Sequence, residues 1–281
     1  MSPSLPTIQP EDEARADQVR GGSYHAPEAV DWHPALFDYL LRLGDESLIL
    51  GQRLTEWCGH APTLEIDLSL ANIGLDLIGQ ATLFLNLAGE VENAGRDGDK
   101  LAFHRDVLAF RNCLLVEQPN GDFAQTIARQ FLFSTYQLAL FEGLVASSEP
   151  RVAEIAAKAV KEVQYHAELS ADWVIRLGDG TDESRRRMIE GLDWFWRFVD
   201  EMFEMDALEQ ELAAAGIAVD RTRLRRDFDV RVQQVLREAT LPLPEYPRAI
   251  TGGRTGHHSE HLGHLLATMQ FLPRTYPDAV W

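Results

Sequence analysis

From Pro34 onward, large apolar side chains recur every three or four residues, the repeat of helices that turn one face to a core. Leu36, Leu40, Leu43, Leu48, Leu50 and Leu54 mark a first helix, stopped in CGHAP by Gly59 and Pro62. A second is predicted from about Leu64 to Leu87, with Ile66, Leu70, Ile73, Leu77, Phe84 and Leu87 on its stripe, closing at Gly89. A shorter one, about Leu101 to Glu117, leads to QPNG, a turn after which Asp122 caps a third long helix carrying Phe123, Ile127, Phe131, Leu138 and Phe141. The fourth covers about Val152 to Leu177 and ends at LGDGTD.

Thr181 or Asp182 then caps a helix containing Trp194, Phe195, Trp196, Phe198 and Phe203, an aromatic group better suited to packing on a bundle than to stacking a cofactor. Segments near Leu224–Ala239 and Gly256–Phe271 are also helical, separated by LPLPEYP, which its prolines hold extended. No stretch alternates with the two-residue period of a strand, and no internal repeat is present. The pattern predicts an all-α fold with four long helices in the middle, residues 34–281 forming a single domain. Residues 1–33 are rich in Pro, Glu, Asp and Gly and read as a disordered extension, since they cannot bury enough apolar surface to offset ordering entropy.

Charge narrows the function classes. With 44 acidic and 26 basic residues in 281, the net charge of −18 argues against nucleic acid and anionic membrane as partners. Cys58 and Cys113, the two cysteines, sit in no CxxC pair, so neither a disulfide framework nor a thiolate zinc site is suggested. MSPSLPTIQPEDEARADQVRGG has no apolar core of signal-peptide length and no run is expected to approach a membrane span, so a cytoplasmic chain is predicted.

A bundle of four long helices is the usual home of a di-iron carboxylate site, in which two helices give one carboxylate each and two give Glu-x-x-His. Side chains three apart on a helix point the same way, so both reach one metal. KEVQYH on the fourth helix falls short: Glu162 and His166 are four apart, and the residue three before His166 is Val163. On the second helix Leu77 stands three before Gln80, with Asp67, Asn72 and Asp76 as other polar groups and no histidine.

RLGDESLILGQRLTEWCGHAP, LANIGLDLIGQA, LLVEQPNGDFAQTIARQ, KEVQYH, LGDGTDES and TGGRTGHHSEHLG together resemble the structural, non-iron subunits of the bacterial multicomponent monooxygenase that epoxidises phenylacetyl-CoA. The similarity runs in order from about Leu41 to Gln270. It implies a ferritin-like fold and a related catalytic subunit that holds the iron. That relative's second-helix glutamate and histidine fall here on Leu77 and Gln80, and its fourth-helix pair on Val163 and His166. By spacing alone, its first-helix glutamate falls near Leu54 and its third-helix carboxylate near Ser134. One potential ligand of six survives, so no metal or other cofactor is expected in this chain, with Gln80 and His166 free to bond each other or water.

Outside the bundle, His257, His261 and His264 in HHSEHLGH have spacings that suit a metal on one helical face, although a helix start accounts for them equally. Cys58 beside His60 and Glu56 lacks an orienting third group and reads as a buried thiol at a helix end. Arg185–Arg187 and the arginines of RTRLRR, Arg221–Arg226, are candidate contacts for an acidic partner or a CoA phosphate, with a solvated face as the default. The resemblance implies a non-catalytic subunit that binds and supports the di-iron catalytic subunit, alongside the reductase and accessory subunits. The alternative is an autonomous ferritin-like metal-binding oxidase or iron-storage protein.

Overall fold

Side-chain oxygens set the helix starts. Thr63, Asp122 and Thr181 hold extended backbone, and each accepts a hydrogen bond from the backbone N–H three residues on, satisfying a donor the first turn leaves unpaired. At Asp122 and Thr181 the residues Gln125 and Ser184 bond back, completing capping boxes. The computed structural model describes residues 34–245, 248–277 and 279; the expected extension, 1–33, lies outside them.

The described residues are all-α: α1 Pro34–Thr55, α2 Leu64–Glu92, α3 Gly98–Phe103, α4 Leu114–Glu117, α5 Phe123–Leu144, α6 Pro150–Gly178, α7 Asp182–Trp196, α8 Ala207–Ala214, α9 Arg221–Glu238, α10 Glu260–Met269 and α11 Phe271–Thr275. Single 3-10 turns cover 107–109, 200–203 and 253–255, and no strand occurs among them. Helix α1 packs on α2 and α5 on α6, while α2 also meets α6 and closes a four-helix bundle. Helices α7 and α9 lie over the α5–α6 side, and α4 and α8 lie on α1.

Glycines bring α1 and α2 close. A Cβ on Gly51 would stand 3.2 Å from the Gly74 carbonyl oxygen and 3.2 Å from Leu77 Cβ, so the two backbones approach where LILGQ crosses NIGLDL. The loop between them is tied down locally. Gly59, with φ of +80°, donates its N–H to Asp67 Oδ2 at 2.7 Å, and Trp57 Nε1 donates to Thr126 Oγ1 at 2.9 Å.

Several boundaries differ from expectation. The predicted helix from Leu101 to Glu117 is three pieces, because this segment bonds to α1 rather than to itself: the Arg111 N–H donates to Asp45 Oδ2 at 2.8 Å, and the Arg105 guanidinium pairs with the same carboxylate. Gly89 does not stop α2. It lies where the Arg96 carbonyl crosses, and the helix runs on to a left-handed Asn93, φ +53°, whose N–H returns to the Gly89 carbonyl. The last long segment begins at Glu260 rather than Gly256, since Gly252 and Gly256 hold positive φ in the preceding turn.

One expectation fails outright. Helix α2 is long and apolar enough to cross a bilayer. Its inner residues Ile66, Leu70, Ile73, Leu77 and Phe84 are buried in the bundle, yet less than half of its most apolar stretch is buried.

Candidate functional site

A polar layer crosses the centre of the bundle, drawing one side chain from each long helix. Gln137 of α5 donates through Nε2 to Ser47 Oγ of α1 at 3.4 Å and to Gln80 Oε1 of α2 at 3.2 Å, and Gln80 Nε2 donates to Glu162 Oε2 of α6 at 3.1 Å. One turn away, His166 Nε2 lies 3.0 Å from Asp76 Oδ2. The carboxylate is an acceptor, so the ring proton is assigned to Nε2; Nδ1 has no protein partner. Ser134 Oγ and Ser170 Oγ, 3.1 Å apart, join α5 to α6 below them.

All six positions that the resemblance singled out, Leu54, Leu77, Gln80, Ser134, Val163 and His166, are buried in this core. Their chemistry does not fit a metal pair. Leu54, Leu77 and Val163 offer no donor atom, Gln80 and Ser134 are neutral and bonded to neighbours, and the His166 Nε2 is engaged by Asp76. Among the described residues, no three His, Cys, Asp or Glu side chains converge to hold a metal ion.

The expected pairing of Gln80 with His166 is replaced by a crossed one. Asp76 and Gln80 are four apart on α2, as are Glu162 and His166 on α6; antiparallel helices set Asp76 against His166 and Gln80 against Glu162. Asp76 and Glu162, both already noted in the sequence, are thus the same-face partners of Gln80 and His166.

A second polar cluster lies against α1. Glu46 Oε1 accepts from Arg254 Nη2 at 2.6 Å, Arg254 Nη1 donates to the Glu201 carbonyl at 2.6 Å, and the Glu201 carboxylate accepts from the N–H groups of Leu114, Gly252 and Gly253 at 2.7 to 2.9 Å. Burial raises the Glu201 carboxyl above its ordinary range, opposed by Arg254 and these N–H groups. Arg221 meets Glu209 at 2.7 Å, an ion pair by distance without well-directed hydrogen bonds, and Arg42 joins Asp38, at 2.7 Å, to Asp206, at 2.6 Å. Burial alone would lower Arg254, but Glu46 holds it above its usual value. Nearby, burial and Arg53 push Arg129 down to about 9. These groups fasten α8, α9 and the 253–255 turn to α1, a structural role that perturbs titration as strongly as a catalytic one.

The remaining candidates do not converge on a site, some being buried in packing and others lying in solvent. Arg221 is buried, against the expected solvated face. Arg185 donates to the Gly178 and Thr240 carbonyls, and Arg186 and Arg187 pair with Glu183. Cys58 is exposed rather than buried. His257 precedes α10, so it shares no helical face with His261 and His264. Their neighbour His258 is the engaged histidine: Nδ1 lies 2.7 Å from Glu117 Oε2 and Nε2 lies 3.0 Å from the Phe110 carbonyl. Phe195, Phe198 and Phe203 are buried, while Trp194 stays exposed under the Arg197 guanidinium, 4.5 Å from its ring centre. A groove of about 780 Å³ lies apart from the bundle centre, where Glu204 and Asp220 border Arg223; that mixed lining suits CoA phosphates poorly.

Residues 25–281 match the family model described as phenylacetic acid catabolic protein. The chain is 51% identical over 243 residues to the C subunit of 1,2-phenylacetyl-CoA epoxidase from Escherichia coli (strain K12), covering 86% of this chain and 98% of that protein.

Proposed function

This chain belongs to the phenylacetic acid catabolic protein family, and we propose that it serves as the C subunit of a 1,2-phenylacetyl-CoA epoxidase, a helical scaffold that carries no metal and supports the di-iron catalytic subunit. Residues 34–281 act as one ferritin-like domain in the cytoplasm. Oxygen chemistry belongs to the partner chain, and electrons come from a reductase. The observation that carries this reading is the content of the six positions: Leu77 and Val163 stand where bridging carboxylates would be needed, and Gln80 is engaged by Gln137 and Glu162.

That arrangement is also the stable one. Two carboxylates at positions 77 and 163 without a metal would cost several kcal/mol in desolvation or stay protonated, whereas Leu and Val fill the volume at no electrostatic cost. Glu162 is held by the Gln80 amide and Asp76 by the His166 ring. What remains for this chain is to bind and brace.

The test is iron per chain after anaerobic reconstitution with ferrous iron, with the subunits separated before analysis. The scaffold retains none above background. Two irons per copy with a carboxylate-bridged spectrum would make it an autonomous ferritin-like oxidase or storage protein.

A further inference from the structure

We propose that the outer face of α2, bordered by Tyr165 of α6, is the docking surface for a helical face of the catalytic subunit whose apolar stripe is flanked by lysines and arginines. The inference rests on the subunit reading above. Leu64, Leu68 and Leu75 are 70%, 55% and 64% exposed, and with Ala71 and Gly79 they form one stripe at helical spacing on the side of α2 turned away from the bundle. Tyr165 is 44% exposed on the α6 stripe that continues through Leu169 and Trp173, residues which line one small cavity with Ile66, Leu70 and Ile73 of α2. A helix with an exposed apolar stripe on the side turned away from its own bundle has surface left to bury against another element.

Area and charge decide what covers it. The stripe from Leu64 to Gly79 takes about 24 Å of α2, and a strip of that length about 10 Å wide is roughly a third of the ~800 Å² that one side of a stable interface needs. A cover must therefore reach across to α6, which suits a pair of helices better than a peptide. Helix α2 holds Glu65, Asp67, Asp76, Glu90 and Glu92 and no lysine or arginine. Lys158 and Lys161 belong to the α6 turns opposite its second half, so acidic character is strongest over Leu64 to Leu75. A second copy would bring acid against acid. An anionic bilayer is repelled in the same way, and the buried inner face keeps α2 from leaving the bundle to insert. A partner with basic flanks gains at both the stripe and its edges.

The experiment measures binding of the full chain to the purified catalytic subunit of the same epoxidase, at low and high salt. It compares the parent, the pair Leu68→Lys/Leu75→Lys, the pair Leu68→Asp/Leu75→Asp, and Leu272→Asp as a control on exposed α11. All the substituted positions are exposed, and circular dichroism with thermal melts verifies the fold. The control is expected to bind like the parent, and each pair about 100-fold or more weaker. At low salt the Lys pair is weaker than the Asp pair, because its new charges face basic flanks. Parent-like binding by both pairs overturns the face while leaving the subunit role intact, and weaker binding by the Asp pair overturns the charge assignment. Self-association of the parent that either pair abolishes, or flotation of the parent with phosphatidylcholine or phosphatidylglycerol vesicles that either pair abolishes, gives the face a different occupant and overturns the proposal. No binding by the parent removes the subunit role itself.

Discussion

His258 has an acceptor at each ring nitrogen, the Glu117 carboxylate and the Phe110 carbonyl, so it is held as the imidazolium. Burial opposes that charge, but the hydrogen bond and charge of Glu117, the Phe110 carbonyl and the charge of Asp45 together outweigh it, and the folded pKa is raised above 6.5. The resulting stabilisation is complete below the unfolded value of about 6.5 and is lost as pH rises through the higher folded value. His258→Ala is expected to cost about 3 kcal/mol at pH 6, with the gap to the parent narrowing in melts as pH is raised through the elevated folded pKa; a gap that widens with pH contradicts it. Val163→Glu adds a carboxylate beside a His166 already engaged by Asp76, and a fall in stability of several kcal/mol is expected. A midpoint at or above the parent's would mean that position 163 is wet. At this scale the sequence was half legible. The degenerate ligand positions were what the family resemblance implied, with Leu54 and Ser134 placed by spacing alone, whereas the choice of His258 over His257, His261 and His264 depends on the Glu117 carboxylate arriving from 141 positions earlier, which no local pattern announces.

Helices were legible wherever their stripe faced the bundle, because the same periodicity that identifies a helix packs it. Leu36 to Leu54 and Ile66 to Leu87 behaved so. The segment from Leu101 to Glu117 did not, since its regularity yields to bonds with Asp38 and Asp45 on α1. Glycine shows how one helix sets opposite demands. Gly51 faces Gly74 and Leu77 on the partner helix, so Gly51→Ala is expected to destabilise by about 1 to 2 kcal/mol, overpacking exceeding the gain in helix propensity. Gly79 of α2 is exposed with no atom near its missing Cβ, so Gly79→Ala is expected to stabilise the isolated chain by about 0.5 to 1 kcal/mol. Urea melts of the two variants test both signs; destabilisation by Gly79→Ala would mean that its face is covered even in the free chain.

Across the whole molecule, the net charge of −18 and the exposed stripe of the lysine-free α2 are the features on which the proposed docking of a partner with basic flanks rests. The all-α class and the family were readable before the structure, because they depend on patterns within single helices. Which side of α2 remains in water was not, since periodicity marks apolar positions without saying which of them the chain itself covers. The central claim is that this bundle supports chemistry performed elsewhere, and mixing the subunits tests it most directly. Epoxide formation from phenylacetyl-CoA is measured with reductase present, at a fixed amount of catalytic subunit and increasing amounts of this chain. The account predicts no turnover by this chain alone, weak turnover by the catalytic subunit alone, and a rise that saturates at a fixed ratio of the two. Full turnover without this chain, or turnover by this chain alone, would contradict it.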